Sequence, residues 1–377
     1  MLFTATTFAG MEEVLAQELV EIGASDIRTR RRAVMFRGDM QTMYRANLWL
    51  RTAIRVLHPI REFQIEDAQD LYDRVHDIDW TKYMTADQTL LVDPVVKSEL
   101  FRHTVYPAQI AKDAIADQFR RLKGRRPSVD FARPDLRIHL WVRDRRVTVS
   151  LDSSGEPLFK RGYRQGEQHP APINEGMAAG LIQLAKWEPE KPLVDPMCGS
   201  GTFSIEAAMI AANQAPGLGR KEYGFMKWAS FSPDDWKALR EDARAKIVRP
   251  EVKIEASDVS GSFVLMARKM ARNAGVDGLI RIQARAFEKA TAPKGTEPGW
   301  VFLNPPYENR LKTHDIEGFY HMMGQRLKES YPGYKAWIIT ANFPALSHLR
   351  MAAFQKYKVF NGGLQAQFRG YEVRAQS

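Results

Sequence analysis

The sequence is poor in the residues that build disulfides, metal centres and membrane spans. Among its 377 residues Cys198 is the only cysteine, so no internal disulfide can form. Its eight histidines show no close metal-ligand spacing, and we expect no metal site. No apolar run reaches the roughly 18 residues that cross a bilayer, and the N-terminus turns acidic and amphipathic where a signal peptide would need a cleavage site. These absences predict a globular, cytoplasmic protein.

Positive charge is in excess. The formal net charge is +10, and 44% of the residues are hydrophobic, which is enough to form the cores of two or three domains. A basic balance of this size favours a polyanionic partner such as a nucleic acid. Charge alone does not identify that partner, because many basic proteins bind no nucleic acid.

The first half of the chain alternates short strand and helix patterns. The segments LFTATT, MEEVLAQELVEIG, AVMFRG and MQTMYRANLWLRTA are typical of a strand, a helix, a strand and a helix in a small α/β unit. A second such unit follows, with strand LLVDPVVKS, a helix from about Tyr106 to Leu122, and strands LRIHLWVRD and RVTVSLDSS. We predict domains over residues 1–55 and 56–157.

A basic window closes this half. Between Phe119 and Arg146 there are ten Lys or Arg residues and three Asp, interleaved with aromatic side chains. That pattern favours a nucleic-acid face, although a solvated helix end and hairpin would look similar. The candidate RNA-binding residues are Arg120, Arg121, Lys123, Arg125 and Arg126, joined by Lys160, Arg161 and Arg164 in the tail KRGYR.

The second half, residues 158–377, alternates helices with apolar strands. Its segments PLVDPM, KIEASDV, LIRIQA, WVFLN and KAWIITAN are strands separated by helical patterns, which indicates a doubly wound, mostly parallel sheet. The last two strands, YKVFNG and LQAQFRGYEVR, predict an antiparallel hairpin at the sheet edge. Residues 214–250 interrupt the alternation as an insertion.

A glycine turn follows the first of these strands. In LVDPMCGSGTFSIEAA, Asp195 ends the strand, and Gly199 and Gly201 let backbone N–H groups approach a ligand at the start of a helix, where an anionic group is favoured. The turn is neither a dinucleotide fingerprint, because Ser204 occupies the third glycine position, nor a P-loop, because no Gly-Lys-Ser/Thr follows. Taken alone, this turn is a weak signal.

An acidic residue at the end of the next strand strengthens the signal of the glycine turn. Asp258 lies at the end of the strand in KIEASDV. At this position in related sheets a carboxylate binds the hydroxyls of a ribose. A nucleoside with a small charged tail fits both places. Cys198, inside the glycine turn, is better explained as a small packing residue than as a nucleophile.

The stretch WVFLNPPYENR ends a strand in an amide, two prolines and an aromatic ring. Pro305 cannot extend the ladder, and both prolines disfavour helical backbone before them, so Asn304 through Tyr307 should be extended and rigid. This places a fixed amide at the carboxyl end of a strand, where ligands bind in open α/β sheets. A proline-rich turn with a capping Asn is the alternative.

Taken together, DPMCGSGT, ASDVS and NPPY on successive strands resemble a class I S-adenosylmethionine-dependent methyltransferase that methylates amines. The first half, closing in LDSSGEPLFKRGYR, resembles a ferredoxin-like domain followed by a THUMP RNA-binding domain. Over nearly the whole chain the sequence is similar to the large-subunit ribosomal RNA guanine-N2 methyltransferases of the RlmL and YpsC type. The chain contains one methyltransferase domain, so the second activity of longer fused relatives is expected to be absent.

The resemblance implies roles for individual residues. Asp195, Gly199 and Gly201 would hold the methionine end of S-adenosylmethionine, Asp258 its ribose, and the segment APINEGMAA would pack beside it. The cofactor-binding set is Asp195, Met197, Gly199, Gly201, Thr202, Asp258, Pro172 and Asn174. The catalytic set is Asn304, Pro305, Pro306 and Tyr307, with the amide and the Pro305 carbonyl accepting the amine protons and the ring stacking on the base.

The sequence departs from the family at one position and leaves several functions open. Where an acidic residue usually contacts the cofactor's adenine, the chain has Ala286, so either Glu288 substitutes or apolar packing holds the ring. A tRNA methyltransferase, a DNA or protein amine methyltransferase, and a non-catalytic RNA-binding protein remain alternatives. The motif NPPY is also shared with enzymes that methylate the adenine amine.

Overall fold

The computed structural model describes residues 1–164, 173–305, 315–361 and 364–374, which form two seven-stranded sheets, one in each half. The elements of the first half are β1 (Leu2–Thr7), α1 (Glu12–Glu21), β2 (Ser25–Arg30), β3 (Ala33–Arg37), α2 (Met40–Trp49), β4 (Ala53–Gln64), α3 (Ala68–His76), β5 (Leu90–Lys97), α4 (Tyr106–Lys123), β6 (Leu136–Arg143) and β7 (Arg146–Asp152). Those of the second half are α5 (Glu175–Leu184), β8 (Leu193–Asp195), α6 (Thr202–Ala211), α7 (Pro233–Ala245), β9 (Ile254–Asp258), α8 (Gly261–Ala274), β10 (Ile280–Ala284), β11 (Trp300–Leu303), α9 (Ile316–Ser330), β12 (Lys335–Thr340), β13 (Ala353–Asn361) and β14 (Leu364–Glu372).

The first sheet is continuous across both predicted N-terminal domains. Its strand order is β2-β3-β1-β4-β7-β6-β5, and β4 pairs with β1 on one side and with β7 on the other. The predicted boundary between residues 55 and 56 lies inside β4. The two N-terminal units therefore share backbone hydrogen bonds through one strand.

Three elements of this half were absent from the sequence-based prediction: β2, β4 and α3. Strand β4 shows no regular alternation of buried and exposed residues, and the register shifts between Pro59 and Arg61. A proline inside a strand weakens its pattern, because it donates no ladder hydrogen bond. Strand β2 is mostly exposed, so apolar periodicity cannot reveal it.

The second sheet confirms the predicted doubly wound architecture. Its order is β10-β9-β8-β11-β12-β14-β13, with the first five strands parallel and β13 and β14 forming the antiparallel edge hairpin. Along β11, Trp300 and Phe302 pack with α5, α6 and α8, whereas Val301 and Leu303 pack with α9 on the opposite face. Helices thus cover both faces, as parallel sheets require.

The insertion at residues 214–250 packs on the core of the first half. Its aromatic residues Tyr223, Phe225 and Trp236 are buried in the same cluster as Tyr44 of α2. The ring of Phe225 lies 4.8 Å from that of Tyr44 and 5.1 Å from that of Trp236, measured between centroids. A segment that interrupts the methyltransferase-like alternation therefore completes the hydrophobic core of the N-terminal half.

The N-terminal half also packs directly on the second sheet's helices. Phe8 and Met11 belong to the core cluster around α5. A Cβ at Gly180 would lie 2.6 Å from the sulfur of Met11, closer than real Cβ contacts allow. Glycine at this position lets α5 approach the N-terminal half.

We predict that Phe225→Ala destabilises the N-terminal half together with the insertion. Phe225 is fully buried, and removing such a ring costs about 3–5 kcal/mol through lost burial and a residual cavity. Urea unfolding followed by circular dichroism measures the shift in midpoint. The control is Phe131→Ala, whose ring is 81% exposed and should change the midpoint little. Equal midpoints for the parent and the Phe225 variant would contradict the packing described here.

Candidate active site

Three polar residues end neighbouring parallel strands at one edge of the second sheet. Asp195 is the last residue of β8, Asp258 is the last of β9, and Asn304 directly follows β11. Strand β8 lies between β9 and β11, and the chain order reverses between β8 and β11. Adjacent strands are about 4.8 Å apart, so these side chains share the crevice in which open α/β sheets bind ligands.

The glycine turn is closed by its own hydrogen bonds. The Gly201 N–H donates to the Cys198 carbonyl at 2.7 Å, and both Gly199 and Gly201 have positive φ, at 52° and 80°. A Cβ on Gly201 would lie 3.0 Å from the Cβ of Ala267 on α8. The turn therefore needs glycine both for its backbone conformation and for its packing at the start of α6.

Asp195 is buried, and among the residues that the structure describes it has no ion-pair partner. Its side chain is 1% exposed, and one oxygen, Oδ2, accepts a hydrogen bond from the Ser204 hydroxyl at 2.9 Å. The other, Oδ1, has no hydrogen-bond partner among the residues that the structure describes. Burial, reinforced by the nearby Asp258 charge, raises the pKa of Asp195 to about 7. A cationic ligand group would satisfy both the free oxygen and the charge.

Asp258 is held in a fixed orientation by backbone donors. Its Oδ2 accepts from the Gly199 N–H at 2.9 Å, and its Oδ1 accepts from the Ser260 N–H at 2.9 Å. Each carboxylate oxygen has a second lone pair for another donor. An oriented acceptor at the end of the second strand suits a sugar hydroxyl.

The amide oxygen of Asn304 also has no partner in the described part of the chain. Its Oδ1 is buried and accepts no hydrogen bond there, and the following Pro305 is buried. An orphaned buried acceptor of this kind costs about 1–3 kcal/mol unless a donor arrives. Predicted residues Pro306 and Tyr307 lie outside the described residues.

The remaining predicted cofactor residues have different local roles. Met197 is half-buried against the cluster that includes α9, and Thr202 begins α6, where its hydroxyl accepts from Arg164 at 2.6 Å. Asn174 caps α5 by accepting from the N–H groups of Gly176 and Met177. Pro172 lies outside the described residues. Ala286, at the position of the missing adenine contact, is half-buried, and Glu288, the proposed substitute, is exposed.

Ser204 was missed as a site residue. In the sequence Ser204 stands out only because it breaks the dinucleotide fingerprint. A hydroxyl three residues after Gly201 is the signal that could have identified it as a partner of Asp195. Its hydroxyl is the donor that reaches Asp195. Cys198 is unsuited to act as a nucleophile, because burial, with the neighbouring carboxylates, raises the pKa of its thiol well above the usual value.

One predicted RNA-binding arginine, Arg161, is internal, and this prediction is wrong, whereas Arg164 is half-buried and its role stays a prediction. Arg161 is 2% exposed, and its Nε lies 3.6 Å from the buried carboxylate of Glu206. Arg164 lies 3.2 Å from the Glu175 carboxylate and donates to the Ile173 carbonyl. Both arginines pair with carboxylates beside the site, because buried acids require countercharges.

The other basic candidates are on the surface. Lys160 is exposed and paired with Glu156, and the last turn of α4 with the residues after it presents an exposed basic cluster. Arg125 forms two contacts with Asp87, at 2.6 and 2.9 Å, and Arg126 lies within 3.5 Å of Asp113 and Asp117. The members of the cluster are Arg120, Arg121, Lys123, Arg125 and Arg126.

No group of three or more potential metal ligands occurs within the ranges that the structure describes. None of the described helices is both long enough and apolar enough to span a membrane.

A doubly wound sheet with carboxylates after its first two strands, a glycine turn and an amide after its fourth defines a class I methyltransferase site. The chain belongs to the RMKL-like methyltransferase domain family, whose model matches residues 161–369. The RlmL ferredoxin-like domain matches residues 2–57, and the THUMP domain matches residues 66–152.

Relatives and solved structures agree with this assignment. The ribosomal RNA large subunit methyltransferase K/L of Photobacterium profundum is 38% identical over 380 residues, covering 100% of this chain and 53% of the relative. The chain thus spans about half the length of that relative. SMU.472, assigned as a methyltransferase and solved with SAH, has a TM-score of 0.88 at 29% identity, with 100% of this chain and 99% of that chain covered.

A Listeria monocytogenes protein described as a predicted N6-adenine-specific DNA methylase has a TM-score of 0.87 at 28% identity. The match covers 98% of this chain and 95% of that chain.

S-adenosylmethionine is the cofactor of class I methyltransferases, and the polar groups of this site fit it. The partnerless oxygen of Asp195 suits the ammonium of its methionine end, and the oriented carboxylate of Asp258 suits its ribose. The N-terminus of α6, directly after the glycine turn, favours the carboxylate of the cofactor. When bound, the cofactor supplies an electrophilic methyl group.

We predict that cofactor affinity depends on pH through Asp195. Below about pH 7 the free protein holds a proton on this carboxyl, and a cation placed beside it lowers its pKa, so binding must release that proton. The dissociation constant for S-adenosylmethionine should therefore rise by up to about tenfold per pH unit as the pH falls from neutrality towards about 5.5. Calorimetry in buffers of different ionisation enthalpy measures the affinity and the released proton.

The control for this prediction is Asp195→Asn, which should bind more weakly and without the proton release. A parent protein whose affinity is constant over this pH range would show that no cation lies beside Asp195.

Proposed function

We propose that this chain transfers a methyl group from S-adenosylmethionine to the exocyclic N2 amine of a guanine in large-subunit ribosomal RNA. The observation that carries the proposal is the buried Asn304 Oδ1, which lacks a donor among the described residues at the carboxyl end of β11. An amine N–H is the donor that would satisfy it. We also propose a ferredoxin-like unit over residues 1–55, a THUMP RNA-binding unit over residues 56–157 and a methyltransferase unit over residues 158–377, with β4 shared by the first two.

The chemistry asks the protein to orient the amine. An exocyclic amine is a weak nucleophile because its lone pair is delocalised into the base. If Asn304 Oδ1 accepts one amine proton and the Pro305 backbone carbonyl accepts the other, the lone pair can point at the electrophilic carbon. The buried neighbours Leu303 and Pro305 keep water away from the amide. No strong general base is required, because the methylated amine becomes acidic as it forms and can give its extra proton to water or a nearby acceptor.

Ribosomal RNA is supported as the substrate by three observations of different kinds. The Photobacterium profundum relative is named as a large-subunit ribosomal RNA methyltransferase, and a THUMP domain matches residues 66–152. The exposed basic cluster at the end of α4 offers contacts to phosphates. We propose Tyr307 as a stacking partner for a base that leaves its helix. Transfer RNA is the second candidate within this class.

A second function follows from the name of the Listeria monocytogenes protein, an N6-adenine-specific DNA methylase. The amine of adenine would satisfy the same amide oxygen. The geometry of Asn304 therefore favours an exocyclic amine over a ring atom, and the identity of the base is the point to be tested.

We predict that Asn304→Ala lowers methyl transfer by on the order of a hundredfold, the scale expected when a reacting group is misplaced. Single-turnover assays with labelled cofactor and ribosomal RNA fragments give the rate, and calorimetry should find S-adenosylmethionine affinity nearly unchanged. A variant that keeps the parent rate would reduce the asparagine to a turn residue.

The labelled nucleoside identifies the product in the same assay. N2-methylguanosine supports the proposal in full. N6-methyladenosine would replace the guanine assignment while keeping the amine mechanism, and a methyl group on a ring carbon would contradict both.

A further inference from the structure

A basic cleft lies in the insertion. It has a volume of about 570 Å³ and is formed by the segment 218–226 and one face of α7. Its lining residues are Leu218, Gly219, Arg220, Lys221, Met226, Trp236, Lys237, Arg240 and Arg244.

Every ionisable side chain that lines this cleft is cationic. Lys221, Lys237 and Arg244 are exposed, and none of them forms an ion pair with a carboxylate in the described part of the chain. This distinguishes them from the basic cluster at the end of α4, where Arg125 and Arg126 are paired with aspartates. Unpaired cations grouped around one concave surface are the complement of an anion.

The walls of the cleft are fixed by hydrogen bonds. Arg240 donates to the carbonyls of Arg220 at 3.0 Å and Leu218 at 2.9 Å, which joins α7 to the facing segment. Its guanidinium carbon lies 5.7 Å from the ring centroid of the buried Trp236. The cations of the rim are thus carried by a rigid frame, which lowers the entropic cost of binding.

The cleft adjoins another basic segment. Arg220 is buried and donates to the carbonyls of Pro157 at 2.7 Å and Lys160 at 3.1 Å. The backbone that carries the exposed Lys160 therefore rests against a wall of the cleft. Because the insertion is part of the N-terminal core, the cleft keeps its position relative to the N-terminal half.

We propose that this cleft binds backbone phosphates of the RNA substrate, an inference that rests on the proposed function. Lys237 and Arg244 lie seven residues apart on α7, which separates them by about 10 Å along the helix axis. Two cations this far apart cannot both contact one small phosphate. They can contact different phosphates of an RNA strand that lies across the rim of the cleft. Phosphate contacts of this kind position the RNA without reading its sequence.

The test is the double variant Lys237→Ala with Arg244→Ala in the 377-residue chain. Its affinity for a large-subunit ribosomal RNA fragment is measured at several salt concentrations. Each lost phosphate contact should reduce the slope of log affinity against log salt by about 0.7–0.9, so the pair should lower it by about 1.5. Affinity at low salt should fall by about tenfold or more.

The matched control is Arg249→Ala with Lys253→Ala, which removes the same charge from exposed residues that lie outside the cleft and that form no ion pair in the described part of the chain. It should leave the slope close to that of the parent. S-adenosylmethionine affinity and the urea midpoint should be unchanged in both double variants, which excludes misfolding as the cause.

The outcomes separate this inference from the proposed function. A parent that does not bind ribosomal RNA would contradict the proposed function itself. A parent that binds, with equal slopes for both double variants, would overturn the cleft alone. Competitive binding of inorganic pyrophosphate at the cleft, with an unchanged RNA slope in the Lys237 and Arg244 variant, would make it a small-anion site and also overturn the inference.

Discussion

The buried carboxylate of Glu18 joins the two halves of the molecule, and the position of the site relative to the N-terminal half depends on it. Its Oε2 accepts from the Thr52 hydroxyl at 2.8 Å and from the N–H groups of Arg51 and Thr52, while its Oε1 accepts from Gln183 of α5 at 2.7 Å. Burial raises the pKa of Glu18. A shift of one half against the other would strip donors from a buried acid, which costs several kcal/mol. The halves are therefore held in one register.

The Glu18 carboxylate, which has donors on both oxygens, contrasts with the edge of the second sheet. There, Asp195 and Asn304 each carry a buried oxygen without a partner among the described residues. Such atoms destabilise the fold by about 1–3 kcal/mol each, and folded proteins keep them mainly at functional sites. At Asp195 and Asn304 a ligand donor would remove this cost, because both oxygens lie at the sheet edge where ligands bind.

Much of the fold could be predicted from the sequence, because the second half carries clear apolar strands between amphipathic helices. The elements that were missed have patterns that tertiary pairing overrides: β4 contains Pro59 and a register shift, and it links two units that appear separate in the sequence. The insertion looked like a polar interruption, since only the folded chain reveals that Phe225 fills the core of the other half.

For the site, the sequence predicts where the polar residues lie but not which buried groups pair with each other. Strand ends locate Asp195, Asp258 and Asn304, because the carboxyl ends of parallel strands meet at one edge. Arg161 could not be assigned correctly, since the sequence does not distinguish a basic residue that neutralises a buried acid from one that faces RNA. Counting charges in the sequence identifies the cation but not the carboxylate, distant in sequence, with which it pairs.

The hydroxyl of Ser204 accounts for the departure of the glycine turn from the dinucleotide fingerprint. Burial raises the pKa of Asp195, and the hydrogen bond from Ser204 opposes that rise by stabilising the carboxylate. Glycine or alanine at this position would remove the hydroxyl donor, keep only the backbone N–H of residue 204 beside the carboxylate, and shift the acid further towards its neutral form. A neutral acid cannot attract the ammonium of an amino-acid tail. A pyrophosphate site needs no carboxylate there, so a small residue suffices in that case, whereas a site for a cationic tail needs both the acid and the donor that keeps it ionisable.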